Sequence, residues 1–119
     1  MRFRIRLWIM VTALIVPLSI IAIEKGNPSK GKEVFTRCAI CHGDSGEGKE
    51  AIAKMLGATM PALSSKEVQS LDDAALKKVI AEGKGKMKPV SLSDSELADV
   101  IAYLRTLSHR KKITNLPGD

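Results

Sequence analysis

The sequence predicts an all-α fold of three to five short helices joined by long loops, and three observations carry that reading. The segments Leu71-Asp72-Asp73-Ala74-Ala75-Leu76 and Leu92-Ser93-Asp94-Ser95-Glu96-Leu97 repeat one plan, a capping residue between leucines five apart. Apolar residues then recur at helical spacing behind each of them. No window alternates polar and apolar residues as a half-buried strand does.

The first 23 of the 119 residues stand apart. Arg2, Arg4 and Arg6 precede an uncharged run from Leu7 to Ile23, and the first acidic residue is Glu24. A basic start followed by an apolar stretch marks a secretory leader, with cleavage after Ala22. The run also reaches the lower edge of what spans a bilayer, roughly 17–25 residues. Residues 1–23 are therefore a signal peptide or an uncleaved anchor, and Pro17 favours the leader because it would disturb a spanning helix. A buried core helix does not fit, since the run has no polar face. On either reading the arginines stay on the cytoplasmic side. Residues 24–119 then form one domain in the periplasm or another extracytoplasmic space, with possible membrane attachment through residues 7–23.

Within that domain, Asn27-Pro28 starts a helix, with proline at the first position where its missing N–H costs nothing. The helix runs through Lys32 and Phe35 towards Cys38. Gly43-Asp44-Ser45-Gly46-Glu47-Gly48 is a loop by composition. Glu50 to Leu56 forms a short helix ended by Gly57, and Met60 to Ser65 reads as extended or irregular. Asp72 caps the next helix, which places Leu76, Val79 and Ile80 on one face and stops at Gly83. Gly83-Lys84-Gly85-Lys86-Met87-Lys88-Pro89 is too rich in glycine and proline for a regular helix. Ser93 and Glu96 form a capping box for the last helix, whose one face carries Leu97, Val100, Ile101, Leu104 and Leu107. The core spans about 27–107. The tail 108–119 is polar and basic, with Pro117-Gly118 near its end, and is expected to fray.

Composition narrows the function. The formal charge is +6, and without the three leader arginines it becomes +3. That mild basicity does not call for nucleic acid, because no basic stripe interleaves with aromatics. Past residue 23 the aromatics are Phe35 and Tyr103 alone. A domain with so few large side chains buries a thin core of its own. Something other than polypeptide is expected to fill its middle.

Cys38-Ala39-Ile40-Cys41-His42 supplies the candidate, because C-x-x-C-H is the attachment motif of c-type haem. In a helical segment, residues 38 and 41 share one face with 42 alongside. Two thiols can then add to one porphyrin edge while the imidazole reaches the iron from the same side. Other readings of the motif are weaker. A thioredoxin-type disulfide needs a preceding strand, and none is legible. A structural zinc site needs four ligands, whereas His42 and His109 are the only histidines and no second Cys-x-x-Cys exists. A chance match remains the last of them.

With these residues in view, the chain from about Asn27 to Leu107 resembles the class I cytochrome c family. Gly31-Lys32-Glu33-Val34-Phe35 is similar to that family's G-x-x-x-[FY] ahead of the haem motif. Asp99-Val100-Ile101-Ala102-Tyr103-Leu104-Arg105 is similar to its C-terminal helix. The resemblance implies one covalent haem c wrapped by the helices and loops. It also implies that the two terminal helices cross closely at Gly31, with Phe35 and Tyr103 nearby. Pro61-Ala62-Leu63 resembles the family's P-x-L, which implies that the Pro61 carbonyl accepts a hydrogen bond from His42.

The same resemblance implies that Cys38 and Cys41 bind the haem and that His42 and Met87 are its axial ligands. Met55, Met60 and His109 are the other candidates for the sixth position, and a thioether paired with His raises the potential. The family's ligand loop commonly reads G-K-G-x-M-P, whereas Lys88 here stands between Met87 and Pro89. Lys84, Lys86 and Lys88 flank Met87 as a solvated face or as a docking patch for acidic partners, where charge steers encounter. Arg110, Lys111 and Lys112 could touch anionic lipid in the same way. The expected function is one-electron transfer by a monomer that is not itself an enzyme, serving exported or membrane-bound redox proteins. The alternatives are a permanent cytochrome subunit of a dehydrogenase or oxidase complex and a haem protein that binds small ligands at an open iron.

Overall fold

A computed structural model describes residues 25–114, with side chains from 25 to 110. The leader or anchor reading of residues 1–23 and the Pro117-Gly118 end of the tail lie outside the described residues. Five helices follow in order: α1 (Pro28–His42), α2 (Glu50–Leu56), α3 (Lys66–Gln69), α4 (Asp73–Glu82) and α5 (Asp94–Thr114). Among the described residues there is no strand, and no helix is long and apolar enough to cross a membrane.

The helix starts follow from their capping residues. Asn27 Oδ1 accepts from the amides of Ser29 at 2.9 Å and Lys30 at 3.2 Å, with Pro28 at the first helical position. Asp72 Oδ1 accepts from Ala75 N at 2.7 Å. At α5 the capping box is reciprocal: Ser93 N donates to Glu96 Oε2 at 2.9 Å, and Glu96 N donates to Ser93 Oγ at 3.2 Å. The bond from the Ser93 backbone, foremost, holds the Glu96 carboxyl below its usual range. Each cap satisfies amides that a helix start leaves open, at about 1 kcal/mol apiece.

α1 and α5 cross in close contact, and glycine is what permits it. A Cβ on Gly31 would run into the carbonyl of Asp99 and stand 2.9 Å from Tyr103 Cβ. Gly26, which the sequence did not single out, meets the backbone of Ala98 in the same way. Asn27 N donates to Asp99 Oδ1 at 2.6 Å across this crossing. One turn further along, the rings of Phe35 and Tyr103 lie 5.2 Å apart at 51°, a tilted aromatic contact. Arg37 pairs with Glu96 at 3.3 Å on the outer side.

The core is the seam of three helices. Phe35 comes from α1, Leu76 and Ile80 from α4, and Leu97, Val100, Ile101, Tyr103, Leu104 and Leu107 from α5. Leu71 and Leu92, the residues before the caps, pack on it from the edge. In contrast, no residue of 47–75 or 81–96 is fully buried. Two stretches on either side of α4 therefore carry apolar side chains that the polypeptide leaves half-covered.

Two elements depart from the sequence reading. α3 is a single turn, capped by Ser65 Oγ and too short to show a hydrophobic period. α5 continues to Thr114, so the first part of the basic tail is helical. Nothing between Ser108 and Thr114 breaks a helix, and basic residues suit its C-terminal end.

Candidate haem site

Cys38, Cys41 and His42 share the last turn and a half of α1. The helix stops there because Gly43 takes φ 82° and its amide donates to Ala39 O at 3.0 Å. The chain then folds back beside the helix end. Gly48 N donates to the His42 carbonyl at 2.7 Å, and Lys49 N to the Cys41 carbonyl at 3.2 Å. These bonds take up carbonyls that a helix C-terminus otherwise leaves open. The three motif residues thus stand on a braced end, with α1 itself held by α5.

Both cysteines are free thiols and half-buried, and Cys38 packs against the core. Burial raises the Cys38 thiol pKa, with Arg37 beside it working the other way. Ile40, between them, is 69% exposed, so the helix turns its thiols inward and its spacer out. Burial also lowers the His42 pKa, which keeps the ring neutral as a metal ligand must be.

His42 Nδ1 is buried and has no hydrogen-bond partner. The bond to the Pro61 carbonyl implied by the resemblance is therefore not formed, although Pro61 lies in the strip beside the motif loop. That strip is placed by Leu63 N donating to Gly46 O at 2.7 Å. Met60 precedes it, with its carbonyl against Gly48. An unpartnered ring nitrogen in a dry setting costs about 1–3 kcal/mol. It marks an incomplete site.

Met87 arrives from a different element. Lys84 N donates to Met87 O at 3.1 Å and Met87 N to Lys84 O at 2.9 Å, closing a two-residue turn. Gly85 holds φ 58° at its first central position, where a side chain would be strained. Val90 N donates to Ile80 O at 2.9 Å, so the far flank of the Met87 loop is tied to the end of α4. Met87 is half-buried, while Lys84, Lys86 and Lys88 around it are exposed. The other candidates sit elsewhere. Met55 is 73% exposed on α2, and His109 is exposed on α5. Met60 is half-buried in the wall of an open cavity of about 620 Å³ between α2 and its flanking segments; none of Cys38, Cys41, His42 and Met87 lines it.

Two polar side chains brace the site from behind, and no sequence pattern marked either for that role. Gln69 Nε2 donates to Leu63 O at 2.7 Å and to Leu104 O at 3.0 Å. Arg105 donates from Nη1 to Gln69 O at 3.0 Å and from Nη2 to Leu71 O at 2.6 Å. The same guanidinium pairs with Asp73 Oδ1 at 2.7 Å.

The donors fit a covalent haem. Two thiols and a neutral imidazole lie together on one helix end, a ring nitrogen lacks a partner, and the segments beyond bury nothing fully. A disulfide oxidoreductase fits less well, because the cysteines close a helix rather than open one after a strand.

The family model for cytochrome c matches residues 28–108, from the start of α1 to the last buried turn of α5. No curated protein and no solved structure gives a match.

Proposed function

We propose, for a chain that belongs to the cytochrome c family, that it is a one-electron carrier for exported or membrane-bound redox proteins. Membership implies haem-based electron transfer in general; the residue roles and the setting are our reading. The observation that carries it is the C-x-x-C-H turn on a braced helix end beside two stretches with no buried residue. The haem, when bound, supplies an iron that alternates between two oxidation states. Cys38 and Cys41 would hold it covalently, and His42 and Met87 would be its axial ligands.

Each of these side chains suits its task. The neutral His42 ring offers a nitrogen lone pair at ordinary pH. The Met87 thioether is soft, suits both oxidation states and raises the potential. Its loop is closed by the Lys84–Met87 turn and tied to α4 at Val90. The half-covered apolar residues of 47–75 and 81–96 would close over the group and keep water from it. Lys84, Lys86 and Lys88 give the Met87 side a positive face that steers acidic redox partners in diffusional encounter.

A haem stain on a denaturing gel, with a reduced-minus-oxidised visible spectrum, tests the reading at its root. Met87→Ala tests the ligand: it is expected to lower the potential, abolish the weak far-red thioether band and let small ligands reach the iron. Met60→Ala and His109→Ala are expected to leave all three unchanged. Loss of the band in Met60→Ala and its survival in Met87→Ala would exchange the roles of the two loops.

For the first 23 residues we propose a cleaved leader and an extracytoplasmic, monomeric product. The mature N-terminus is then expected near Ile23 or Glu24, and intact-mass measurement reads it directly. A full-length mass that requires detergent would make the segment an anchor.

A further inference from the structure

We infer that Gln69, backed by Arg105, is a positioning residue that fixes the Pro61-Ala62-Leu63 strip beside the His42 loop and so sets the potential. The inference rests on the haem reading above and adds a role for side chains that touch neither thiol nor imidazole.

Apart from Leu63, which packs on the core, the strip has few contacts of its own. It contains no regular structure, and the α3 turn that follows is four residues long and buries nothing. A single isolated turn is not stable by itself. Yet its placement matters, because Leu63 N donates to Gly46 O and the Met60 carbonyl lies against Gly48. Gly48 in turn donates to the His42 carbonyl at 2.7 Å. The strip and the motif loop are therefore joined into one unit by backbone contacts.

Gln69 connects that unit to the rigid part of the fold. Both partners of its amide group are carbonyl oxygens, so the group facing them is the NH₂, and its two protons serve Leu63 and Leu104. Leu104 belongs to α5 and is buried in the core. The next residue, Arg105, grips the backbone of Gln69 and Leu71 with one guanidinium and anchors it on Asp73. Consecutive residues of α5 thus hold the connection from 63 to 73, Leu104 through the Gln69 side chain and Arg105 at the carbonyls of Gln69 and Leu71. Lys could not replace this fork, since one ammonium cannot span two carbonyls and a carboxylate in a fixed plane.

The strip reaches His42 through the motif loop, whose Gly48 holds the His42 carbonyl, and groups that hold a ligand's segment from behind tune the metal as well. Loosening the strip admits water to the His42 side, and a wetter setting favours the more highly charged oxidised state. The potential should fall.

The test uses the haem-loaded full chain and three variants. Gln69→Met keeps the length of the side chain and removes both donors. Arg105→Lys keeps the charge and removes the fork. Ser93→Ala removes the α5 cap and serves as a control for lost stability away from the strip. Gln69→Met is expected to lower the potential and to speed hydrogen exchange at the Leu63 and Gly48 amides at least tenfold, with Arg105→Lys moving both in the same direction. Ser93→Ala is expected to lower the melting temperature while keeping the wild-type potential. The inference is overturned if every strip variant that folds has the potential of the control. Wild-type protein that lacks covalent haem would instead sink the functional reading, and amide exchange would still report whether the clamp exists.

Discussion

Replacing Cys38 and Cys41 together by alanine is expected to yield a chain without haem whose residues 47–75 and 81–96 lose their protection from hydrogen exchange. Those stretches contribute no fully buried residue, so the polypeptide alone gives them little to fold around. A group that binds only the folded state adds its binding free energy to stability, and its removal takes that contribution away. The seam of α1, α4 and α5 has its own nine buried apolar side chains. It should keep partial helicity in far-ultraviolet circular dichroism after the rest has opened. In wild-type protein the haem should stay with the chain through denaturation and gel electrophoresis. Haem that acid acetone extracts from wild-type protein would end the covalent reading.

Gly31→Ala should be a strongly damaging change for a single added methyl. In a helix interior the substitution gains up to ~1 kcal/mol of intrinsic propensity. Here the new Cβ meets the Asp99 carbonyl and the Tyr103 Cβ, and backbone cannot swing aside as a flexible side chain can. The helices must separate, which also disturbs the Phe35–Tyr103 contact and the Asn27–Asp99 bond. Overpacking of this kind costs about 1–3 kcal/mol. For a domain of this size, that lowers the melting temperature by roughly 5–20 °C. Lys32→Ala, one residue along on the exposed side, should leave it nearly unchanged. Thermal unfolding of the two variants side by side decides the point, and equal melting temperatures would mean that the crossing is loose.

The parts of the fold legible from sequence are those governed by local chemistry. Asn27-Pro28, Asp72 and the Ser93–Glu96 box each announce a helix start because a side chain must satisfy amides a few residues away. Gly57 and Gly83 announce ends for the matching reason. The α5 face from Leu97 to Leu107 is legible because its period survives over three turns. The motif Cys38–His42 is legible because its chemistry needs adjacent positions on one helix. What escaped is either too short or too distant in sequence. α3 offers four residues, less than any period can show. The Gln69 clamp joins residues 35 positions apart through a side chain that carries no pattern of its own. Gly26 lies before the helix, where glycine passes for loop composition, although its spacing of five from Gly31 hints at a second point of contact. The Pro61–His42 bond implied by the family resemblance is not formed, since His42 Nδ1 has no partner, and no local pattern could have told that from the proline alone.

The α1–α5 crossing has a consequence in time as well as in space. Asn27 and Asp99 are 72 positions apart, and the seam that joins them is the largest contact between helices among the described residues. Drawing together the ends of such a segment costs roughly 4 kcal/mol in chain entropy before any contact repays it. Folding dominated by such distant pairs is slow relative to helix formation, which takes microseconds or less. A chain emerging from its N-terminus therefore presents α1 long before its partner exists. Throughout that interval the turn from Cys38 to His42 is a solitary, fraying helix end with both thiols open to whatever chemistry must reach them. Arrival of α5 closes that window. The same crossing that fixes the finished site thus sets an order in which α1 is exposed before its partner helix covers it.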